Sequence, residues 1–275
     1  MEDDVTISID LVADVGESYG AYRLGDDSLL DSLSSANVAC GFHAGDPVEM
    51  DRIVGLCVDR GVAVGAHPGF RDVVGFGRRR IQLSRAEVRA ETLYQIGALS
   101  AFTRRHGTDV QHVTPHGALG NLCVEDELYA AGVLDAVIDV DPSLPVVTQE
   151  GVLAELARSA GVPVAITAMA DRGYRADGSL VPRSEPGAVI HDRAALVERA
   201  VRMVRQRSVT SVEGTEVALD CATVLLHGDG DDAAPVAAAI RSALLAGGVE
   251  IAPIREVLAR SAAAGDDRPI DGRDS

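Results

Sequence analysis

SSANVACGFHAGDP, residues 34–47, reads as a strand that empties into a polar loop and then into a helix. Residues 36–41 are small and apolar apart from one amide, Asn37. The chain then turns through Gly41-Phe42-His43-Ala44-Gly45-Asp46. Pro47 opens a helix over 47–60, with Asp46 as its N-cap, because a proline lacks only an N–H that a first helical turn leaves unpaired anyway. A polar loop between a strand's C-terminal end and the next helix is the repeating joint of an α/β protein.

The same joint recurs along the chain. Short apolar runs at 7–15, 36–41, 62–66, 111–114, 145–148, 164–169, 222–226 and 250–253 predict strands. Between them, helices are predicted over 47–60, 84–106, 125–139, 151–160, 192–207 and 233–246. The second of these opens with Ser84-x-x-Glu87, a capping box. Alternation of this kind favours a parallel sheet clothed in helices. Seven or eight repeats favour closure into a (β/α) barrel of about seven strands, with a doubly wound open sheet as the runner-up. One stretch breaks the rhythm: residues 209–219, centred on Glu213-Gly214, predict an inserted β-hairpin. Residues 1–263 are expected to form one domain, and the polar residues 264–275 a disordered tail.

Composition narrows the function. A net charge of −17, from 42 acidic against 25 basic residues, disfavours nucleic acid and anionic membrane partners. Every basic residue is arginine, so neither a lysine Schiff base nor a Walker-A lysine is available. Any ATP used in the reaction is therefore expected to bind elsewhere than in a P-loop of this chain. Cys40, Cys57, Cys123 and Cys221 are too scattered for a zinc knuckle or a disulfide framework. No basic leader and no long apolar run suggests export or membrane insertion, so a cytoplasmic location is expected.

Polar residues cluster where strands end. Asp14 and Glu17 follow the first strand, and Asn37, His43 and Asp46 belong to the second joint. His67, His116, Asp171-Arg172 and His227-Gly228-Asp229 follow later strands. In a barrel these C-terminal ends converge on one mouth, where active sites sit. Histidines and carboxylates there can activate water, protonate a leaving nitrogen or hold a divalent ion. Asn37 and Arg172 can orient a carboxylate or an oxyanion. The loop 69–80, with Arg71, Arg78, Arg79 and Arg80, suits an anionic substrate as well as it suits pairing with acidic neighbours. Residues 173–187 form either a lid or a long surface loop. Cys40 reads as a buried core thiol, no G-x-S-x-G elbow is present, and His106, His112 and His191 read as surface residues.

These stretches carry a family resemblance. Residues 9–17 (IDLVADVGE), 34–47, GAHPGFRDVVGFGRR at 65–79, PHGAL at 115–119, ADRGYRADGSLVPR at 170–183 and HGD at 227–229 together resemble the LamB/YcsF family of lactam-utilisation proteins, which includes the 5-oxoprolinase A-subunits. The resemblance runs in order from about residue 7 to residue 253. It implies a distorted barrel of the glycoside hydrolase and deacetylase kind. It also implies ATP-dependent hydrolysis of a cyclic amide, the opening of 5-oxoproline to L-glutamate, together with subunits B and C. Matched to the pattern, Asp14, His43, Asp46, His67, His116 and His227 are the catalytic candidates, and Glu17, Asn37, Asp171, Arg172 and Asp229 the substrate-binding ones. The chain departs from the pattern at Val12, Thr114, Gly120 and Met169, where the family carries Asn, Lys, Tyr and Phe. Two other readings stand beside this one: a stand-alone metal-dependent deacetylase or amidohydrolase using Asp14 and two mouth histidines, and a non-catalytic subunit that binds a small acid. Bound metal and self-association are left open.

Overall fold

Strand β1, Ser8–Val15, is buried along almost its whole length, and its alternate residues meet different surroundings. Ile9, Leu11, Ala13 and Val15 join the main apolar core, whereas Asp10, Val12 and Asp14 face the other way. That division is what a strand with side chains of period two produces when one face meets helices and the other a barrel lumen. A computed structural model of the chain describes residues 7–227 and 232–266.

Seven strands form one sheet: β1, β2 (Ser35–Ala39), β3 (Ala63–His67), β4 (Val146–Thr148), β5 (Val164–Met169), β8 (Thr223–Leu226) and β9 (Glu250–Ile251). The order is β3-β2-β1-β8-β5-β4, all parallel, with the short β9 added to the start of β1. Val113 bridges both Ala66 of β3 and Val146 of β4, in parallel, and so joins the two ends of the sheet. The expected strand at 111–114 is thus reduced to a single bridging residue, and it is the one that closes the ring. The insertion is the antiparallel pair β6 (Ser208–Thr210) and β7 (Glu216–Ala218), placed as expected before β8.

The helices lie outside. Helix α1, Pro47–Arg60, is capped by Asp46, and α2, Arg85–Arg105, opens with the complete Ser84–Glu87 capping box. The helix expected over 125–139 is α4 (Glu127–Val140), and it is preceded by a helix that was not anticipated, α3 (Gly117–Glu125). Asp126 separates them, because its extended backbone breaks the first while its carboxylate accepts from the Leu128 N–H and caps the second. Helices α5 (Val152–Ser159), α6 (Arg193–Arg205) and α7 (Ala233–Ala246) fall where the periodicity put them. A 3-10 helix, Asp27–Ser32, and a last helix, α8 (Ile254–Asp266), were not anticipated. Helix α8 carries the ordered chain past residue 263, where a disordered tail was expected to start, and residues 267–275 lie outside the described part. Its first residue, Ile254, packs with Val147 and Ala165 against the lower end of the lumen. Among the described residues no helix is long and apolar enough to cross a membrane.

Candidate active site

The lumen-facing residues at the C-terminal ends of β1, β2 and β3 are Asp14, Asn37 and His67, all buried. Their polar groups connect in one direction. The Asn37 amide N–H donates to Asp14 Oδ1 at 2.9 Å. Its carbonyl oxygen therefore accepts, from the His112 Nε2–H at 2.7 Å and the Thr114 hydroxyl at 3.0 Å. His112 is fully buried in this network, so the expectation that it lies on the surface was wrong. The signal was there: residues 112 and 114 share a face of any extended segment, and Thr114 ends one. Room for the ring comes from Gly65, since a Cβ at that position would lie 2.0 Å from His112 Nε2.

Asn37 was expected to touch substrate. The structure instead puts it beneath Asp14, where it positions the carboxylate.

Three further histidines assemble above this layer. His67 Nδ1 lies 2.7 Å from the Thr114 carbonyl and must carry a proton to donate to it, which leaves Nε2 facing inward. His116 Nε2 is likewise held at 2.8 Å by the Phe76 carbonyl, so Nδ1 is its inward atom. The two inward nitrogens are 2.9 Å apart. His67 Nε2 is also 3.3 Å from Asp14 Oδ1. His43 stacks on His116 with ring centroids 3.7 Å apart, and its Nε2 lies 3.5 Å from Glu17 Oε1. Gly77, at φ +63°, packs its backbone on this stack, where a Cβ would meet His43 at 2.7 Å.

Electrostatics divide the group. Burial would raise Asp14, but the charge and hydrogen bond of His67, with His227 and His116 further off, hold its carboxyl well below the usual carboxylate range. Burial would lower His67, yet Asp14 and then Glu17 win and push it up. His43 and His116 have no such compensation: burial, aided by the neighbouring imidazoles, pushes His116 down to about 3 and His43 well below its ordinary value. One imidazolium, on His67, is thus favoured among neutral rings.

A second pair stands across the same opening. His227 Nδ1 donates to Asp171 Oδ2 at 2.6 Å, which leaves Nε2 to accept from Arg183 at 2.9 Å. Burial would raise Asp171, but His227 and then Arg183 hold it below its ordinary value. Asp14, His67, His116 and His227 all line one cavity of ≈ 670 Å³. Arg78, Arg172, Arg175 and Arg183 line it too, against two carboxylates among the described residues, Asp14 and Glu125.

The other expected site residues fall differently. Asp46 caps α1, with its carboxylate taken by the N–H groups of Val48, Glu49 and Gly20, and does not join the histidines. His43 is fully buried and lies behind His116 rather than in the cavity wall. Arg172 reaches the cavity, but its guanidinium donates to the Ala188 and Val181 carbonyls and so pins the 173–188 loop over the opening. Leu180, Val181, Pro182 and Arg183 of that loop line the cavity, as a cover would. In the 69–80 loop, Arg79 pairs with Asp72, Arg80 with Asp126, and Arg71 lies over Phe42; Arg78 alone of the four lines the cavity. Cys40 is a buried thiol pushed up to about 12 by burial, as expected of a core residue. Asp229 lies outside the described residues. Glu17, His43, His67 and His116 place one potential ligand atom each within 4.8 Å of one another, a donor set compatible with a divalent metal.

The family model described as LamB/YcsF family matches residues 9–259. The chain is 48% identical over 251 residues to the 5-oxoprolinase A-subunit of Geobacillus kaustophilus, covering 90% of this chain and 98% of that protein. It is 50% identical over 245 residues to the 5-oxoprolinase A-subunit of Mycobacterium avium, with 88% and 97% covered. The crystal structure of a lactam utilization protein from Thermus thermophilus superposes with a TM-score of 0.86 at 47% identity, covering 90% of this chain and 99% of that one.

Proposed function

The chain belongs to the LamB/YcsF family, and from that premise we propose that it is the ring-opening subunit of a 5-oxoprolinase. It hydrolyses the lactam of 5-oxoproline to L-glutamate, in a reaction that consumes ATP with the help of subunits B and C. The observation that carries this reading is a contrast of charge. A chain with a net charge of −17 concentrates four arginines around one cavity, over a floor of imidazoles. Such a wall favours an anion, which 5-oxoproline is by its carboxylate and more so once phosphorylated. The cavity is also roomier than a bare five-membered lactam needs, within the range of sites for small molecules.

A lactam carbonyl is a poor electrophile while the ring nitrogen donates into it. Transfer of the ATP γ-phosphoryl group to the lactam oxygen, assigned to the partner subunits, removes that donation. This chain lacks the lysine of a P-loop, in keeping with that division of labour. Water then adds to the ring carbon, and the carbon–nitrogen bond breaks with the nitrogen leaving protonated. A second water releases inorganic phosphate from the resulting acyl phosphate, leaving the free side-chain carboxylate of glutamate. Of the imidazoles that line the cavity, neutral His116 is placed to take the proton from water. His67, made cationic by Asp14, is placed to give one to the leaving nitrogen. His227, held by Asp171, serves the opposite wall with Arg183.

The test is glutamate release from 5-oxoproline and ATP, with this chain alone and with subunits B and C. Glutamate is expected only from the full mixture, and His116→Gln is expected to reduce it by ~10²–10⁴-fold with folding retained. No glutamate from folded, associated wild-type proteins would overturn the assignment.

A further inference from the structure

His67 and His116 present an arrangement that cannot stand as two neutral rings alone. Each donates its outer N–H to a backbone carbonyl, Thr114 O at 2.7 Å and Phe76 O at 2.8 Å. In the neutral tautomers this fixes, both inner nitrogens carry lone pairs, and these lone pairs point at each other across 2.9 Å. Something positive must sit between or beside them. The outer bonds match the way a metal-binding histidine is held, with the second ring nitrogen tied to a carbonyl so that the first keeps its lone pair and its direction.

The surroundings extend the same geometry. His116 Nδ1 lies 3.9 Å from Glu17 Oε1, and Glu17 Oε1 lies 3.5 Å from His43 Nε2. Ligands bound tetrahedrally at ~2.0–2.1 Å are separated by roughly 3.3–3.4 Å. Three of the pairs here lie at 2.9, 3.5 and 3.9 Å, and all four atoms lie within 4.8 Å of one another, so binding would draw the set together slightly. His43 supplies an independent sign. It is fully buried, and neither of its ring nitrogens has a hydrogen-bond partner, a costly state for a side chain that has two polar atoms. Asp14, 3.3 Å from His67 Nε2, adds a second carboxylate beside the group.

We propose that Glu17, His43, His67 and His116 form a binding site for one divalent transition-metal ion, with Zn2+ as the chemistry that a three-imidazole, one-carboxylate set favours. Burial keeps His43 and His116 neutral, so an ion bound there would have to displace only the proton that Asp14 favours on His67. The site lies at the cavity floor, since His67 and His116 line that cavity, while His43 closes it from behind. The inference does not depend on which substrate the cavity takes, but an ion held by His67 Nε2 and His116 Nδ1 would replace the acid and base roles given to these two atoms above.

The experiment uses the full chain, stripped with a chelator, then incubated with Zn2+ or Co2+ and passed through gel filtration. Metal analysis is expected to return one equivalent. The Co2+ form is expected to show the intense visible bands of tetrahedral nitrogen-rich coordination, and the Zn2+ form to melt higher than the stripped chain. Glu17→Gln, which keeps size and shape, and His43→Gln are each expected to weaken Zn2+ binding at least tenfold. The acidic surface is controlled by these variants: unchanged stoichiometry and affinity in both would mean that the ion binds elsewhere, and would overturn the proposal. So would a folded wild-type chain that retains no metal and shows no shift in melting. In that case a shared proton bridges His67 and His116, which 15N imidazole spectra would show as one imidazolium beside one neutral ring. None of these readouts involves glutamate, so failure here and failure of the ring-opening assay are separable.

Discussion

Asp10 and Asp14 stand four residues apart on the same face of β1, both buried, with Val12 between them, and yet they are tuned in opposite directions. Asp10, at the lower end of the lumen, accepts from the Ser34 hydroxyl at 2.8 Å and the Thr223 hydroxyl at 2.6 Å. Burial dominates there, and its carboxyl rises from 3.8 to about 6. Asp14, at the mouth, accepts from the Asn37 amide and faces His67, and its carboxyl falls well below the usual range despite equal burial. Neutral hydroxyls offset part of the cost of desolvating an anion; an imidazolium reverses it. On the mechanism proposed above, the lower carboxylate serves the scaffold and the upper one the chemistry, though nothing in their local sequence separates them.

The largest expected effect is the sharpest test of that division. Asp14→Asn turns an acceptor for both Asn37 and His67 into an amide that faces another amide, and it removes the anion that keeps His67 charged. ATP-coupled glutamate release is expected to fall by ~10²–10⁴-fold. Asp10→Asn is expected to stay within a few-fold of wild type. Comparable losses in the two variants, with circular dichroism showing both folded, would break the comparison.

The second effect is thermodynamic. Asp10 holds its proton more tightly in the folded chain than in the unfolded one. Between its ordinary value and about 6 the folded state thus binds more protons, and stability from this group, full at low pH, declines as pH rises through that window. Asp10→Asn removes the decline. Relative to wild type, the variant should gain about 2 kcal/mol on going from pH 4 to pH 7, as read from denaturant midpoints. Asp14 acts with the opposite sign: its depressed carboxyl stabilises above the ordinary value and loses that contribution as pH falls. A flat difference curve for Asp10→Asn would mean that the lower carboxylate is not raised at all.

Much of this architecture was legible because strand and helix signals are local. The helix over 47–60 follows from Asp46 and Pro47, and the one behind Ser84 from its capping box, and both stand where the sequence puts them. Asp126 escaped notice because it is the middle of three consecutive acidic residues, Glu125-Asp126-Glu127, which read as the solvated start of one helix, whereas it divides α3 from α4. At the mouth, residue types at strand ends sufficed to gather Asp14, His67, His116 and His227 in one cavity wall. They did not reveal direction. Whether Asn37 reaches substrate or holds Asp14, whether Asp46 turns inward or caps α1, and whether His112 is exposed all depend on which partner comes near in space. Asp10 went unremarked for the same reason: it looks like any polar residue in a strand until Ser34 and Thr223 arrive from β1's two neighbours.

The third expected effect lies in the layer between the two carboxylates. Gly65 leaves the space that His112 fills, and a methyl group there would come within 2.0 Å of the ring nitrogen that donates to Asn37. Gly65→Ala must displace His112 or the backbone of β3, and a loss of about 1–3 kcal/mol is expected from overpacking. Since Asn37 then loses a donor, activity should fall with stability, which connects this layer to the upper carboxylate. Lost stability with unchanged turnover would assign Gly65 and His112 to the scaffold instead.

The smallest effect probes the lower carboxylate from its partner's side. Thr223→Val keeps the shape of the side chain and deletes the hydroxyl that donates to Asp10 Oδ2. The anion loses one of the few groups that offset its burial, so the Asp10 carboxyl should rise further above 6. A stability loss of about 1 kcal/mol is expected at neutral pH, and less at acid pH, where Asp10 is protonated in both states and depends less on an incoming donor. Glutamate release should be unchanged, because the Thr223 hydroxyl is spent on Asp10, at the far end of the lumen from the histidines. A loss of activity from this substitution would show that the two ends of the lumen communicate through β1, and the separation between scaffold and chemistry would then have to be drawn higher, at Asp14 itself.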